Sequence, residues 1–293
     1  MIRYPVTEAQ LRNMINDRSG TWLLRAQQKT DEFRAAHAYV DHKAFWSAIK
    51  PVYLSVQRSK CAYCERKLEG PPEGYIEHDI EHFRPKKGVK RWPSTRIARE
   101  LHLNYPFSLG EAFDEGYYLL AYHPLNYVTA CKVCNTRMKG GYFPIAGSRM
   151  PGQDDPSHLV VEQPFLLYPL GDLDADPQEI IAFDGWLAVP KQPAGSEHQR
   201  ARVIIDFFRL NLRDELIQGR IRMMLLVFPY LKTYYALSGG TEWDLAGEVI
   251  NLSESPGAPH SSCVRSFHAL YQRDAVRAAD LMAEAVAYLK SHL

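Results

Sequence analysis

Two pairs of cysteines constrain this chain more than any other feature. Cys61 and Cys64 form one C-x-x-C pair, and Cys131 and Cys134 form a second. Two intervening residues let both sulfurs of a pair reach one tetrahedral ion, so the four thiols predict a structural Zn²⁺ site. A closed set of four thiolates leaves no open position for water, so we expect this metal to stabilise the fold and not to take part in catalysis.

The two pairs must approach each other if they share one ion. The segment between Cys64 and Cys131 is long, but the entropic cost of closing a loop grows only logarithmically with its length. We therefore expect this segment to fold as a unit that returns to its start. The alternative is that one or both pairs are redox-active or incidental thiols, but a redox role is disfavoured because neither pair lies in a βαβ pattern.

Composition excludes several classes of protein. The 293 residues are 46% hydrophobic and 24% charged, as in ordinary globular proteins. The formal net charge of +1 gives no overall preference for nucleic acid, so any such preference must come from local clusters. No apolar run approaches the roughly 20 residues of a membrane span. The N-terminus has no apolar signal segment, and metal-spaced thiols suit a reducing compartment, which together predict a cytoplasmic protein without membrane contact.

Proline and glycine divide the chain into three predicted regions. Residues 1–57 form a helical region that begins with an N-cap at Thr7, and residues 58–146 hold the cysteine pairs with an insertion at 94–118. Residues 147–293 form a short hairpin followed by helices. Within these regions we predict a turn at 70–74, strands at 75–83, 127–130 and 164–169, a helix at 131–138 and a hairpin turn at Asp184-Gly185.

A second group of polar residues predicts chemistry on a phosphodiester. His82 can take a proton from water near neutral pH, and Glu81 and Asn135 offer oxygen ligands suited to Mg²⁺. Asn135 follows the last cysteine, so a shared zinc should bring it near Glu81 and His82. Strict strand alternation places Glu81 and His82 on opposite faces. Both reach one site only where the strand twists or ends, which Pro85 favours.

A basic run follows the predicted base directly. Lys86 and Lys87 belong to this run, and Arg137 and Lys139 lie on the predicted helix after the second cysteine pair. Lysine and arginine beside a phosphodiester site predict contact with phosphate groups. The alternative is an ordinary solvated charge run.

The spacing of these residues resembles the HNH endonuclease motif in its zinc-knuckle form. The matching residues are Cys61-x-x-Cys64, Glu81-His82-x-x-Pro85, Leu125-Asn126 and Cys131-x-x-Cys134-Asn135-x-x-x-Lys139. The resemblance implies an α+β fold, a mostly helical protein built around a ββα-metal core of two strands and a helix, stapled by the four-cysteine zinc site.

The same resemblance implies a role for each residue that matches the motif. His82 would be the general base, and Glu81 and Asn135 would hold the catalytic Mg²⁺ or Mn²⁺. Asn126 would pin the loop between the strands. The family more often has aspartate at the position of Glu81, which leaves Asp79 and Glu77 as alternative metal ligands.

Several shorter runs are similar to PtuB-like HNH proteins of Septu and retron-associated antiphage systems. These runs are Cys61–Glu65, Ile80–Lys86, Ala130–Asn135, Phe143-Pro144, Pro164–Leu170 and Leu210–Arg213. This resemblance implies an ATPase partner of the PtuA type and a role as the effector nuclease of an antiviral defence system.

Two functions from different classes follow from these patterns. The first is a metal-dependent HNH endonuclease that hydrolyses phosphodiester bonds in DNA. The second is a zinc-stabilised nucleic-acid-binding adaptor without chemistry. The discriminating feature is the set of Glu81, His82 and Asn135, because a protein that only binds nucleic acid does not need it.

Overall fold

Helices are the main secondary structure of the molecule. The computed structural model describes residues 1–41, 43–70 and 77–292, so most of the predicted turn at 70–74 and the start of the strand predicted at 75–83 lie outside the described residues. The described α-helices span Glu8–Arg18 (α1), Trp22–Ala36 (α2), Lys50–Val56 (α3), Thr95–Glu100 (α4), Pro177–Ile180 (α5), Gly195–Phe207 (α6), Asp214–Ala236 (α7), Thr241–Glu254 (α8), Ser261–Arg273 (α9) and Ala275–Ser291 (α10). Two small antiparallel sheets lie among them, so the structure is helix-rich with little strand, as predicted.

Helix α1 begins with a side-chain cap, and both N-terminal helices bury an apolar face. Thr7 and Gln10 make the predicted N-cap a reciprocal capping box, in which each side chain accepts a hydrogen bond from the other residue's backbone N–H at 3.1 and 2.8 Å. Helix α2 buries Trp22 and Phe33 on one face. Trp22 packs edge-on against Tyr122, with ring centroids 6.0 Å apart, and thereby joins the N-terminal helices to the centre of the chain.

The central sheet is a pair of strands that brings residues after the first cysteine pair beside the second pair. Strand β1 spans His78–His82 and β2 spans Tyr127–Cys131, with His78 opposite Cys131 and His82 opposite Tyr127. The predicted second strand is confirmed. The predicted helix after it forms at Val133–Lys139 with π-type geometry, contacts both strands, and ends at Gly140, whose φ is +45°.

The C-terminal region contains the predicted hairpin and helices. Strand β3 spans Ile181–Asp184 and β4 spans Leu187–Pro190. The predicted hairpin forms, but Asp184 pairs with Leu187, so the turn consists of Gly185 and Trp186, one residue later than predicted. The strand predicted at 164–169 is wrong, because this segment is irregular apart from one bridge between Ile145 and Pro164. Prolines at both ends of the segment lack the N–H groups that a strand ladder needs.

Two apolar cores hold the elements together. The larger core runs in sequence from Met1 to Leu216 and includes the rings around Trp22. The smaller core begins at Ile217 in α7 and ends at Ala285 in α10. The change from one core to the other therefore falls within the first turn of α7. None of the helices in the described part of the chain has the length and apolar character to cross a bilayer.

Candidate metal centre and adjacent polar site

The four paired cysteines converge on one point. Cys61 and Cys64 lie in the turn that follows α3, Cys131 ends β2, and Cys134 lies in the π-helical segment. All four thiols are buried, and their sulfur atoms lie within 4.8 Å of one another. A tetrahedral zinc ion with Zn–S bonds of about 2.3 Å places its sulfurs about 3.8 Å apart. The 3.9 Å between the sulfurs of Cys64 and Cys131 matches that spacing, so the cluster can hold a metal ion such as zinc.

The backbone around the first pair forms a tight knuckle. Glu65 has a φ of +60°, and its N–H donates to the carbonyl oxygen of Cys61 at 3.2 Å. The N–H of Cys131 points at the sulfur of Cys61 at 3.4 Å, a weak hydrogen bond that favours the thiolate form. The local turn and the strand end thus direct sulfurs from distant parts of the sequence toward one centre.

His82 is buried at the end of β1, with only 6% of its surface exposed. Its Nε2 lies 3.0 Å from the carbonyl oxygen of Ala121, and its ring contacts Trp46 and Tyr127 at centroid distances of 4.7 and 4.9 Å. A carbonyl oxygen can only accept, so Nε2 carries the proton in the neutral ring and Nδ1 is left basic. Burial lowers the pKa of His82 well below its ordinary value, and the positive charge of Lys86 acts in the same direction.

Glu81 is held by a buried lysine. The ammonium of Lys139 lies 3.0 Å from Oε1 of Glu81 and donates to the carbonyl oxygen of His82 at 2.9 Å. Burial raises the pKa of Glu81, and Lys139 opposes that rise. Burial lowers the pKa of Lys139, and Glu81 opposes that fall. Lys139 is fully buried, so its predicted contact with phosphate would require it to leave this ion pair.

Asn135 hydrogen-bonds to Asp79, and among the residues that the structure describes it makes no hydrogen bond to Glu81. Its Nδ2 donates to Oδ2 of Asp79 at 3.2 Å, and the same carboxylate pairs with Lys132 at 2.6 Å. Glu77 is engaged elsewhere, because it pairs with Arg66 and accepts from the N–H of Glu69. Of the two alternative carboxylates, Asp79 is therefore the one that lies beside Asn135.

Asn126 joins three stretches of backbone at the end of the strand pair. Its Oδ1 accepts from the N–H of Arg84 at 2.7 Å, and its Nδ2 donates to the carbonyl oxygens of Arg84 and Leu120 at 3.1 and 3.0 Å. Asn126 is buried. These three hydrogen bonds tie the exit of β1 to the entry of β2.

The predicted phosphate-contacting residues occupy different environments. Lys86 is partly buried, and its ammonium lies 4.5 Å from the ring centre of Trp46. Lys87 is exposed, with its ammonium 5.1 Å from the ring centre of Tyr39. Arg137 is exposed on the π-helical segment. Lys86 and Lys87 thus flank the end of β1.

The structure brings some of the predicted residues together and separates others. Glu81 shares Lys139 with the backbone of His82, whereas the His82 ring contacts a different set of partners. Sequence reasoning did not identify Trp46, Lys132 or Arg213 as site residues. Lys132 carried a signal, since it lies between the paired cysteines. Arg213 lies in the run Leu210–Arg213 that resembles PtuB-like proteins, but that resemblance assigned it no role, and no local pattern pointed to Trp46.

Comparison with known proteins identified one relationship. The chain is 28% identical over 172 residues to the Septu protein PtuB of Bacillus mycoides (strain KBAB4), and the match covers 57% of this chain and 49% of that protein. The chain thus spans about half the length of the curated relative that it matches. No protein-family model matches the chain, and no solved structure matches it significantly. The similarity supports a PtuB-like relationship.

Proposed function

We propose that this protein is a metal-dependent HNH endonuclease that hydrolyses phosphodiester bonds in DNA. The observation that carries the proposal is the hydrogen bond from His82 Nε2 to the carbonyl oxygen of Ala121. That bond fixes the ring orientation and leaves Nδ1 as the proton acceptor that a general base requires. Within the described residues, Nδ1 has no hydrogen-bond partner in the protein.

His82 then acts as the base that takes a proton from the attacking water. Its lowered pKa keeps the ring neutral near pH 7, so the base is in its active form at physiological pH. The Trp46 ring lies nearly perpendicular to the His82 ring, with 4.7 Å between the ring centroids, and limits the positions from which water can approach. Asn126 supports this arrangement by holding the backbone on both sides of the strand ends.

The oxygen-rich side of β1 offers ligands for Mg²⁺ or Mn²⁺. Asp79 and Glu81 are two residues apart on the same face of the strand, and Asn135 contacts that face through Asp79. Carboxylate and amide oxygens are the donors that Mg²⁺ prefers. When bound, the cation would neutralise charge on the scissile phosphate and the leaving oxygen. We assign it to Glu81 and Asn135, with Asp79 as the alternative carboxylate.

Two lysines balance these carboxylates in the structure. Lys132 neutralises Asp79, and Lys139 neutralises Glu81. A divalent cation must therefore compete with ammonium groups at either carboxylate, which favours weak, millimolar-range binding over a permanent site. DNA would approach from the side of Lys86, Lys87 and Arg137, where positive charge can meet the phosphate backbone.

A plasmid-nicking assay tests the proposal. Zinc-loaded protein with Mg²⁺ should nick supercoiled DNA, and EDTA should stop the reaction. His82→Ala and the larger replacement His82→Gln should slow cleavage about 10²- to 10⁴-fold while zinc content and secondary structure stay unchanged. The exposed His158 gives the control His158→Ala. Cleavage at the wild-type rate in both His82 variants would contradict the proposal.

The choice of metal ligand is tested in the same assay. Glu81→Gln should weaken activation by Mg²⁺ if Glu81 binds the ion, and Asp79→Asn should do so if Asp79 binds it. The readout is the Mg²⁺ concentration at half-maximal rate. If DNA binds but no metal supports cleavage, the adaptor function is favoured.

The antiviral role rests on the similarity to a Septu protein. We propose that the chain is the effector nuclease of such a system and acts with an ATPase partner of the PtuA type. Co-expression with an ATPase encoded by the neighbouring gene tests the partner through joint elution at fixed stoichiometry. Protection of cells against phage should then require His82.

A further inference from the structure

Arg213 is a buried arginine at the edge of the cysteine cluster. Its Nη1 lies 3.2 Å from the sulfur of Cys134, and only 6% of the residue is exposed. Its Nε pairs with the exposed Glu215 at 2.9 Å, while its Nη2 is buried without a hydrogen-bond partner within the described structure. In the described part of the chain, the Nη2 atom of the guanidinium is therefore buried and unpaired, and Nη1 hydrogen-bonds to a cysteine sulfur.

A buried metal with four thiolate ligands leaves two negative charges to be compensated. Zinc neutralises only part of the charge of four thiolates, and an uncompensated charge in a buried environment is costly. Backbone N–H groups such as that of Cys131 offset part of this cost. Arg213 adds a full positive charge in direct hydrogen-bond contact with a ligand sulfur, and arginine keeps that charge when it is buried.

The backbone of Arg213 also starts the helix that leads into the smaller core. Its carbonyl oxygen accepts from the N–H groups of Leu216 and Ile217 at 2.9 and 3.1 Å. Leu216 packs in the larger core and Ile217 in the smaller one. A single residue thus contacts a cysteine of the cluster through its side chain and forms the first turn of α7 through its main chain.

We propose that Arg213 is a positioning residue for the metal centre, which compensates the charge of the four-thiolate site and couples metal binding to the docking of α7. The inference rests on metal binding by the four cysteines, and it does not depend on nuclease activity. Because coupling is reciprocal, Arg213 strengthens metal binding, and bound metal stabilises the start of α7.

A second contact supports this coupling. Glu65, which directly follows Cys64, accepts from the N–H of Ser262 at 3.3 Å and from the side chains of Ser261 and Ser262. These serines form the first turn of α9. The starts of α7 and α9 therefore reach the cysteine cluster at two separate places: α9 contacts Glu65 beside the first cysteine pair, and Arg213 contacts Cys134 of the second pair.

Zinc release measures the effect of Arg213 on the metal. Purified Arg213→Gln should transfer zinc to a chromogenic chelator with an apparent affinity about 10- to 100-fold lower than wild type, the usual cost of losing a residue that supports a metal ligand. Arg213→Lys should fall between the two, because it keeps the charge but loses the planar fork. Arg222→Gln removes an exposed arginine from the same helix and should match wild type.

Hydrogen exchange on the wild-type chain provides a measurement that does not depend on a variant folding. Removal of zinc should raise exchange in residues 214–221 at least 10-fold, while exchange in α1 should change much less. The proposal would be overturned if Arg213→Gln releases zinc as Arg222→Gln does. It would also be overturned if hydrogen exchange at 214–221 is the same with and without zinc. Wild-type protein that shows both zinc effects but does not cleave DNA would count against the nuclease proposal alone.

Discussion

Buried ionisable side chains in this protein either pair with an opposite charge or are held in their neutral form. Lys60 and Glu65 pair at 3.0 Å, and Arg84 pairs with Glu162, all of them buried. Breaking such a pair leaves an uncompensated buried charge, which costs far more than the pair contributes when intact. His260 is a different case, because it is kept neutral.

His260 makes stability depend on pH. Burial lowers its pKa to about 3, and Arg220 acts in the same direction. The unfolded chain takes up a proton near pH 6.5, whereas the folded chain does not. The contribution of His260 to the free energy of unfolding is therefore fully present above about pH 6.5. It is lost as pH falls toward 3, by at most about 1.4 kcal/mol per pH unit. His260→Asn, which tolerates the φ of +52°, should flatten this slope.

Urea unfolding at pH 7.5 and pH 5.5 measures that slope. The control is His158→Asn, which changes an exposed histidine and should leave the pH dependence as in wild type. An unchanged slope in His260→Asn would show that this histidine does not contribute. Gly219 is part of the same contact, since a Cβ there would lie 2.6 Å from Nε2 of His260.

The strand pair and the π-helical segment after it act as one element. The antiparallel register sets Cys131 opposite His78, and the segment Val133–Lys139 turns back along both strands. Its wider turn places Asn135 beside Asp79 and Lys139 beside Glu81. Helical segments of this type are rare and occur often at functional sites, which agrees with the site proposed here.

Asn126 should determine the stability of this element. Asn126→Ala removes three buried hydrogen bonds and leaves the N–H and the carbonyl oxygen of Arg84 without their partner, whereas the carbonyl oxygen of Leu120 still accepts from the N–H of His123. We expect a loss of about 2–4 kcal/mol in the free energy of unfolding, because unpaired buried polar groups carry a desolvation cost. Chemical denaturation measures it. Asn104→Ala, at an exposed position, should change stability by less than about 0.5 kcal/mol.

At the scale of the whole molecule, the cysteine cluster lies where the larger core meets the start of the smaller one. Arg213 and Glu65 connect the cluster to α7 and α9. Metal at this point can therefore stabilise more than the knuckle itself. The cost of losing it should therefore extend from the knuckle into the starts of α7 and α9.

Metal removal should lower the Tm of the protein. A ligand at a thousand times its dissociation constant stabilises the folded state by about 4 kcal/mol, which for a chain of this size corresponds to roughly 8–16 °C in Tm. EDTA with a reductant should lower Tm by that amount, and Cys61→Ser should have a low Tm that no longer responds to EDTA. Cys263→Ser, which changes a buried cysteine outside the cluster, should still respond. A Tm that EDTA does not change would contradict the assignment.

The sequence alone determined the features that depend on neighbouring residues. The C-x-x-C spacing predicted a shared cysteine cluster, the apolar run at 127–130 predicted β2, and Asp184-Gly185 predicted a hairpin turn, because turn geometry and side-chain period are local properties. The prediction of a strand at 164–169 was wrong because the apolar side chains of this segment are buried in the core without strand pairing.

Only the tertiary structure decided which partners the site residues meet. In the folded chain Asn135 hydrogen-bonds to Asp79, Lys139 pairs with Glu81, and Nε2 of His82 hydrogen-bonds to the carbonyl oxygen of Ala121. It also brought Arg213 to a cysteine that lies far away in the sequence. These contacts join residues that no sequence period relates, so they are fixed only when the whole chain packs and each buried charge must find its counterpart.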